Sequence, residues 1–84
     1  MSTIEWDPKA KKSLARLAKQ DPGGTDQVLD SINLLARNPR PAGAQPYGAS
    51  LLRMRVGFYR VVYEIVREKP LIISIEHVGR SRTP

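Results

Sequence analysis

The stretch that defines the fold runs from Leu52 to Tyr63 and reads Leu-Arg-Met-Arg-Val-Gly-Phe-Tyr-Arg-Val-Val-Tyr. Arginine alternates with apolar residues in it, and successive side chains of a strand point to opposite faces of a sheet. A strand here would place its cations on one face and its apolar side chains on the other. Guanidinium groups fill a core poorly and hold phosphate well. The pattern therefore predicts a sheet with an arginine-rich face suited to RNA.

Three consecutive strands are predicted around this stretch: Leu51 to Val56, Phe58 to Arg67 and Leu71 to Val78. Gly57 allows the first reversal, and Glu68-Lys69-Pro70 makes the second. Strand parity assigns one set of side chains to a face covered by helices: Leu52, Met54, Val56, Tyr59, Val61, Tyr63, Ile65, Leu71, Ile73, Ile75 and His77. The open face should then hold Leu51, Arg53, Arg55, Arg60, Val62, Glu64, Val66, Ile72, Ser74, Glu76 and Val78. On this parity Arg60 is expected opposite Glu76 or Val78.

The N-terminal half predicts a short strand over Ser2 to Trp6 and a helix from Pro8 to about Lys19. Asp7 can cap this helix, and proline is favoured at a first helical position. An apolar stripe and a basic remainder follow the helical period, the stripe being Ala10, Leu14 and Leu17 and the basic residues Lys9, Lys11, Lys12, Arg16 and Lys19. We favour a solvated face for these cations, and Lys12 is the one retained as an RNA-binding candidate.

A second helix is predicted after the break at Asp21-Pro22-Gly23-Gly24, with Thr25 as its cap and its end near Arg37. Its buried stripe would be Val28, Leu29, Ile32 and Leu35. Arg40 to Ser50 is expected to be a mobile loop. The order β-α-α-β-β-β indicates an α+β fold, with a helical hairpin packed on one face of a small twisted antiparallel sheet. The partner of the first strand is left open.

Size and composition bound the function. The chain has 84 residues, 14 Lys plus Arg against 8 Asp plus Glu, a net charge of +6 and no cysteine. We expect a single domain over residues 1–84, cytoplasmic, with no cofactor, no metal site and no membrane segment. The basic excess suits nucleic acid, an acidic membrane surface or an acidic protein, and a basic domain without such a partner also stays open.

Cleavage of RNA through its own 2′-hydroxyl needs a base, positive charge at the phosphorus and an acid for the 5′-oxygen. Arginine supplies the charge but is a poor base. Three residues are candidates for proton transfer: Glu64, Glu76 and His77. Each glutamate is more simply explained as neutralising a neighbouring arginine, and the parity of His77 favours a structural role on the helix side. Tyr47, in the loop, is a candidate for stacking on a base.

The segment from Leu52 to Arg82 resembles the RelE/ParE superfamily of type II toxin–antitoxin systems, and its RelE-like toxins in particular, the matching residues being Leu52–Ile65 and Ile75–Arg80. The matching core is Arg-x-Gly-x-Tyr-Arg-Val-x-Tyr, supported by the helical hairpin that closes on Leu34–Arg40. The resemblance implies a ribosome-dependent mRNA endonuclease that cleaves the A-site codon by 2′-hydroxyl attack and so arrests translation. It also implies an acidic antitoxin that covers the same groove, and the ribosome and mRNA as further partners.

Residue by residue, the resemblance implies that Arg60 is the central catalytic arginine and Arg53 the basic residue seven positions earlier. Arg55 falls on a further basic, RNA-binding position, and the C-terminal arginine corresponds to Arg80 or Arg82. The chain departs from the pattern in having no tyrosine after Tyr63 and a leucine, residue 51, where the best-known pattern has a lysine. Two alternatives therefore stay open: a gyrase inhibitor of the ParE branch, and a catalytically weak module that binds RNA or antitoxin.

Overall fold

The computed structural model describes residues 2–81 and confirms the α+β fold. Its elements in chain order are β1 (Ser2–Trp6), α1 (Pro8–Gln20), α2 (Pro22–Leu34), β2 (Gln45–Tyr47), β3 (Leu51–Val56), β4 (Tyr59–Glu68) and β5 (Leu71–Arg80). They form a five-stranded sheet in the order β1-β5-β4-β3-β2. The β1–β5 pair is parallel and the other pairs are antiparallel, so the sheet is mixed.

Both helices begin at an Asp-Pro pair. The Asp7 carboxylate accepts a hydrogen bond from the Lys9 N–H at 2.8 Å, and the Asp21 carboxylate accepts one from the Gly24 N–H at 3.0 Å. The prediction that Thr25 caps α2 is therefore wrong, because Asp21 caps it one turn earlier. Thr25 is instead buried within the helix and donates its hydroxyl to the Asp21 carbonyl.

The helices pack on one face of the sheet and bury most of the predicted stripes, with Leu14 and Leu29 only half-buried. Ala10 and Leu17 of α1 are buried with Val28 and Ile32 of α2 and with Leu35 just beyond its end. They meet a set of side chains from β3, β4 and β5 that alternation predicts: Met54, Tyr59, Val61, Tyr63, Ile73 and Ile75. α2 ends at Leu34 and a turn follows, so the helix is shorter than predicted.

A short edge strand, β2, lies inside the segment predicted as a loop. Gln45, Pro46 and Tyr47 pair with Arg53, Leu52 and Leu51, and all three are exposed. The sequence gives no apolar alternation here because no face of β2 is buried. Proline is tolerated at a sheet edge, where its missing N–H leaves no gap in the ladder.

A bulge in β5 reverses the parity of its C-terminal part. Val62 pairs with His77, but the next pair is Tyr63 with Ile75, so Glu76 is an extra residue in the ladder. Two predictions are corrected as a result. His77 lies on the open face opposite Val62 and is exposed, whereas Val78 faces the helices and is buried.

The register also corrects the predicted partner of Arg60. It lies opposite Gly79 on β5 and opposite Arg55 on β3, not opposite Glu76 or Val78. No helix in residues 2–81 is long and apolar enough to cross a membrane.

Candidate nucleic-acid interface

An open hollow of about 580 Å³ lies over the β3–β4 hairpin on the face that the helices leave bare. Its lining residues are Gly43, Gln45, Arg53, Arg55, Arg60, Arg80 and Ser81. Four of these are arginines and none is acidic. Arg53, Arg55 and Arg60, which the sequence places on one face, are therefore brought together, and we call this site the arginine hollow.

The centre of the arginine hollow is a pair of arginines that face each other across the ladder. Arg55 and Arg60 are direct cross-strand partners, which puts their Cβ atoms roughly 5 Å apart. Like charges in this arrangement destabilise a sheet. The half-buried Arg60 has its Nε shielded from solvent, and that atom has no hydrogen-bond partner within residues 2–81. A buried donor left without a partner costs free energy.

The turn of the hairpin is fixed to the wall of the arginine hollow. Gly57 adopts φ +59°, the left-handed region that a two-residue hairpin turn with glycine first requires. The Arg55 Nε donates to the Gly57 carbonyl at 3.4 Å, and the Ser81 amide donates to the Phe58 carbonyl at 2.8 Å. These bonds connect the two turn residues to side chains and backbone that line the hollow.

Arg80 lines the same hollow from the end of β5, and its guanidinium donates to Gln20 Oε1 at 2.9 Å. Arg82, the other candidate for the C-terminal arginine, lies outside the described residues. At the opposite end of the site, the Arg53 guanidinium carbon lies 5.5 Å from the centre of the Tyr47 ring, within cation–π range. Tyr47 therefore stands beside the site, as its candidacy requires.

The candidates for proton transfer all lie on the open face. Ser74 donates to Glu76 at 2.6 Å, and Glu64 lies opposite Ser74. Neither glutamate forms an ion pair with an arginine in the part of the chain that the structure describes, where the one ion pair joins Arg40 to Glu68. The proposed neutralisation of neighbouring arginines by Glu64 and Glu76 therefore does not take the form of direct ion pairs.

The His77 ring is folded over Gly79. A Cβ added to Gly79 would lie 2.8 Å from His77 Nε2, so the imidazole occupies the space that any larger residue would need. Gly79 is also the cross-strand partner of Arg60. The bulge at Glu76 thus delivers an imidazole to the row that contains Arg55 and Arg60, a position that regular alternation does not reveal.

Other residues singled out in the sequence lie away from the site. Lys12 is exposed on α1, on the helix side of the sheet, and does not line the arginine hollow. Tyr59 and Tyr63 are core residues, as expected. The Tyr63 hydroxyl donates to the Pro39 carbonyl at 2.8 Å, and burial raises the pKa of Tyr63. Gly43, Gln45 and Ser81 were not predicted, because no charge or motif marks them.

A family model for the ParE toxin of the type II toxin–antitoxin system parDE matches residues 4–83. The chain belongs to this toxin family. The resemblance to the RelE/ParE superfamily is thereby confirmed, and the chain is a toxin of a type II toxin–antitoxin system. A search among curated protein sequences finds no match.

Solved structures of such toxins share the fold at low sequence identity. A YoeB/ParE toxin from Agrobacterium tumefaciens is 15% identical with a TM-score of 0.80, and the match covers 94% of this chain and 98% of that one. The RelBE2 toxin–antitoxin complex from Mycobacterium tuberculosis gives 23% identity and a TM-score of 0.77, covering 94% and 96%. An archaeal RelE–RelB complex from Pyrococcus horikoshii gives 21% and 0.75, covering 99% and 98%.

Proposed function

We propose that this chain is an mRNA interferase that acts in the cytoplasm on ribosome-bound mRNA, the RelE-like activity that its sequence motif implies. The observation that carries the proposal is the Arg55–Arg60 pair, two cations placed face to face with no carboxylate to separate them. Such a pair lowers the stability of the sheet when no ligand is bound between the two cations. It is useful when a phosphate lies between the guanidinium groups and accepts hydrogen bonds from both.

In the proposed reaction the 2′-hydroxyl attacks the adjacent phosphorus, forms a 2′,3′-cyclic phosphate and expels the 5′-oxygen. Arg60 stabilises the charge that develops on the phosphorane oxygens through the N–H donors of its guanidinium group. Arg53, Arg55 and Arg80 hold flanking phosphates. One proton leaves the 2′-hydroxyl and one reaches the 5′-oxygen.

His77 is the proposed group for one of these proton transfers, because its imidazole lies on the Arg60 row and is exposed to a ligand. Glu76 and Glu64 are the candidates for the other transfer. A positioned acid or base of this kind contributes about 10²–10⁴ to the rate.

Replacement of Arg60 tests this assignment. Arg60→Ala should lower mRNA cleavage at least about 10²-fold, the scale seen when one donor to a developing oxyanion is removed. The measurement is the mapping of mRNA 3′ ends in a translating extract. The melting temperature should not fall, because Arg55 is relieved of a like-charged partner.

Arg67→Ala is the matched control, since Arg67 is an exposed arginine of the same strand that does not line the arginine hollow. It should cleave at the wild-type rate. If Arg60→Ala unfolds the protein, or cuts as fast as Arg67→Ala, the catalytic role of Arg60 is wrong.

The partner that silences the toxin is proposed to be an acidic antitoxin. Type II toxins act with an antitoxin, and two of the similar solved structures are toxin–antitoxin complexes. The net charge of +6 and the acid-free arginine hollow suit carboxylates as competitors of phosphate. Growth arrest on induction, reversed by a small acidic protein from a neighbouring reading frame, would support this pairing.

Inhibition of DNA gyrase is the second candidate function, favoured by the ParE family match. A supercoiling assay with purified gyrase separates it from the first. Inhibition of supercoiling without any codon-positioned cuts in translating extracts would show that the protein inhibits gyrase and does not cleave mRNA. Co-sedimentation with ribosomes, without cuts and without gyrase inhibition, would select a module that binds but does not cleave.

A further inference from the structure

We propose that Phe58 is a base-stacking residue that holds a nucleobase of the RNA beside the arginine hollow. The proposal rests on the mRNA-cleaving function above and names a contact that this function does not itself require. The ligand is an unpaired base of a single-stranded segment, flanked by the phosphates that Arg55 and Arg60 bind.

Phe58 is the most exposed of the large apolar side chains in the described part of the chain, with 74% of its surface accessible. It occupies the second position of the Gly57-Phe58 turn, at the tip of the hairpin that carries the arginine pair. A turn of this type accepts polar residues readily, so its geometry does not call for phenylalanine.

The position of the turn relative to the arginines is fixed. The Phe58 carbonyl accepts from the Ser81 amide, and the preceding carbonyl accepts from Arg55 Nε. Phe58 lies two residues before Arg60 in the chain, a separation of roughly 7 Å at the rise of a strand. Phe58 does not itself line the arginine hollow, but a phosphate held by the Arg55–Arg60 row has its own base, or the next one, within reach of the hairpin tip that carries Phe58.

The opposite end of the site repeats the arrangement. Tyr47, 41% exposed on β2, has its ring under the Arg53 guanidinium. Cations in the middle with an aromatic ring at each end form the pattern by which proteins hold single-stranded nucleic acid, with bases stacked on rings and phosphates on cations. Phe58 completes this pattern, and the three-arginine alternation alone does not identify it.

The test uses ribosomes programmed with a short synthetic mRNA and single-turnover cleavage by purified toxin. The cleavage rate of Phe58→Ala should be lower than that of wild type by about tenfold or more, because stacking on one base contributes about 1–3 kcal/mol. Phe58→Trp should cleave at close to the wild-type rate because it keeps an aromatic ring. Phe58→Leu, which keeps apolar surface but no ring, should be as slow as Phe58→Ala. Val66→Ala, a change at another exposed apolar residue of the same hairpin, should leave the rate unchanged.

A scan with abasic nucleotides identifies the stacked base. One abasic position in or next to the cleaved codon should slow the wild type as much as Phe58→Ala does, and Phe58→Ala should lose nothing further on that mRNA. Equal cleavage rates for wild type and Phe58→Leu would overturn the stacking proposal. So would a Phe58→Ala variant that cleaves more slowly than wild type by the same factor at every abasic position. A wild type that cuts no programmed mRNA removes the proposed function itself and this proposal with it.

Discussion

At the scale of single residues, the absence of a side chain at Gly79 leaves room for the His77 imidazole. Gly79→Ala places a methyl carbon 2.8 Å from His77 Nε2, closer than the two atoms can approach without one of them moving. The imidazole is the free end of a side chain and can swing away, so we expect an unchanged melting temperature. Cleavage should fall about 10-fold to 10²-fold, because a displaced imidazole loses part of the acid–base contribution. The measurement is single-turnover cleavage of ribosome-bound mRNA.

The control for this prediction is a double-mutant cycle with His77→Ala. If Gly79 acts through the imidazole, Gly79→Ala has no effect once the ring is gone. Exogenous imidazole should partly restore His77→Ala and should not restore Arg60→Ala. Additive losses in the cycle would show that Gly79 serves the backbone and not the ring.

At the scale of elements, the sequence predicts well wherever the period of a strand or helix is regular. The alternation of Arg53 and Arg55 with Met54 puts both arginines on the open face without any tertiary information. The extra residue at Glu76 breaks this period in β5, and Ile75-Glu76-His77 has the composition of an ordinary strand. The position of His77 thus depends on pairing between strands, which a single sequence does not display.

The start of α2 offers a prediction about pH. The Tyr59 hydroxyl donates to Asp21 at 2.8 Å, which lowers the pKa of Asp21 and raises the pKa of Tyr59. The stability from this bond is present above 3.8, the ordinary pKa of Asp21, and is lost as the pH falls through the lower folded value. It is also lost as the pH rises above 10.0, the ordinary pKa of Tyr59, through the raised folded value.

Tyr59→Phe should therefore lower the melting temperature by several degrees at neutral pH, and its gap to wild type should narrow well below pH 3.8. Thermal melts across pH measure it. Tyr63→Phe is the control, because it removes a bond to a carbonyl, which does not titrate in this range. A Tyr59→Phe gap that stays constant on acidification would contradict the role assigned to the Asp21 carboxylate.

At the scale of the whole molecule, the excess charge is divided between two surfaces on opposite sides of the sheet. The arginine hollow holds Arg53, Arg55 and Arg60 on the open face, and α1 presents exposed lysines on the helix side. If RNA binds in the hollow, each guanidinium that neutralises a phosphate adds about 0.7 to the slope of log affinity against log salt. The location of a charge, and not only its count, should then govern binding.

Two variants that each remove three charges from the net +6 separate location from count. Changing Arg53, Arg55 and Arg60 together to glutamine should reduce the salt slope for short single-stranded RNA by about 2, three contacts at about 0.7 each. Changing Lys9, Lys11 and Lys12 to glutamine should leave the slope close to wild type. The measurement is fluorescence anisotropy over a salt series. An equal reduction of the salt slope in the two variants would mean that RNA binding depends on overall charge. The arginine hollow would then not be the phosphate-binding site.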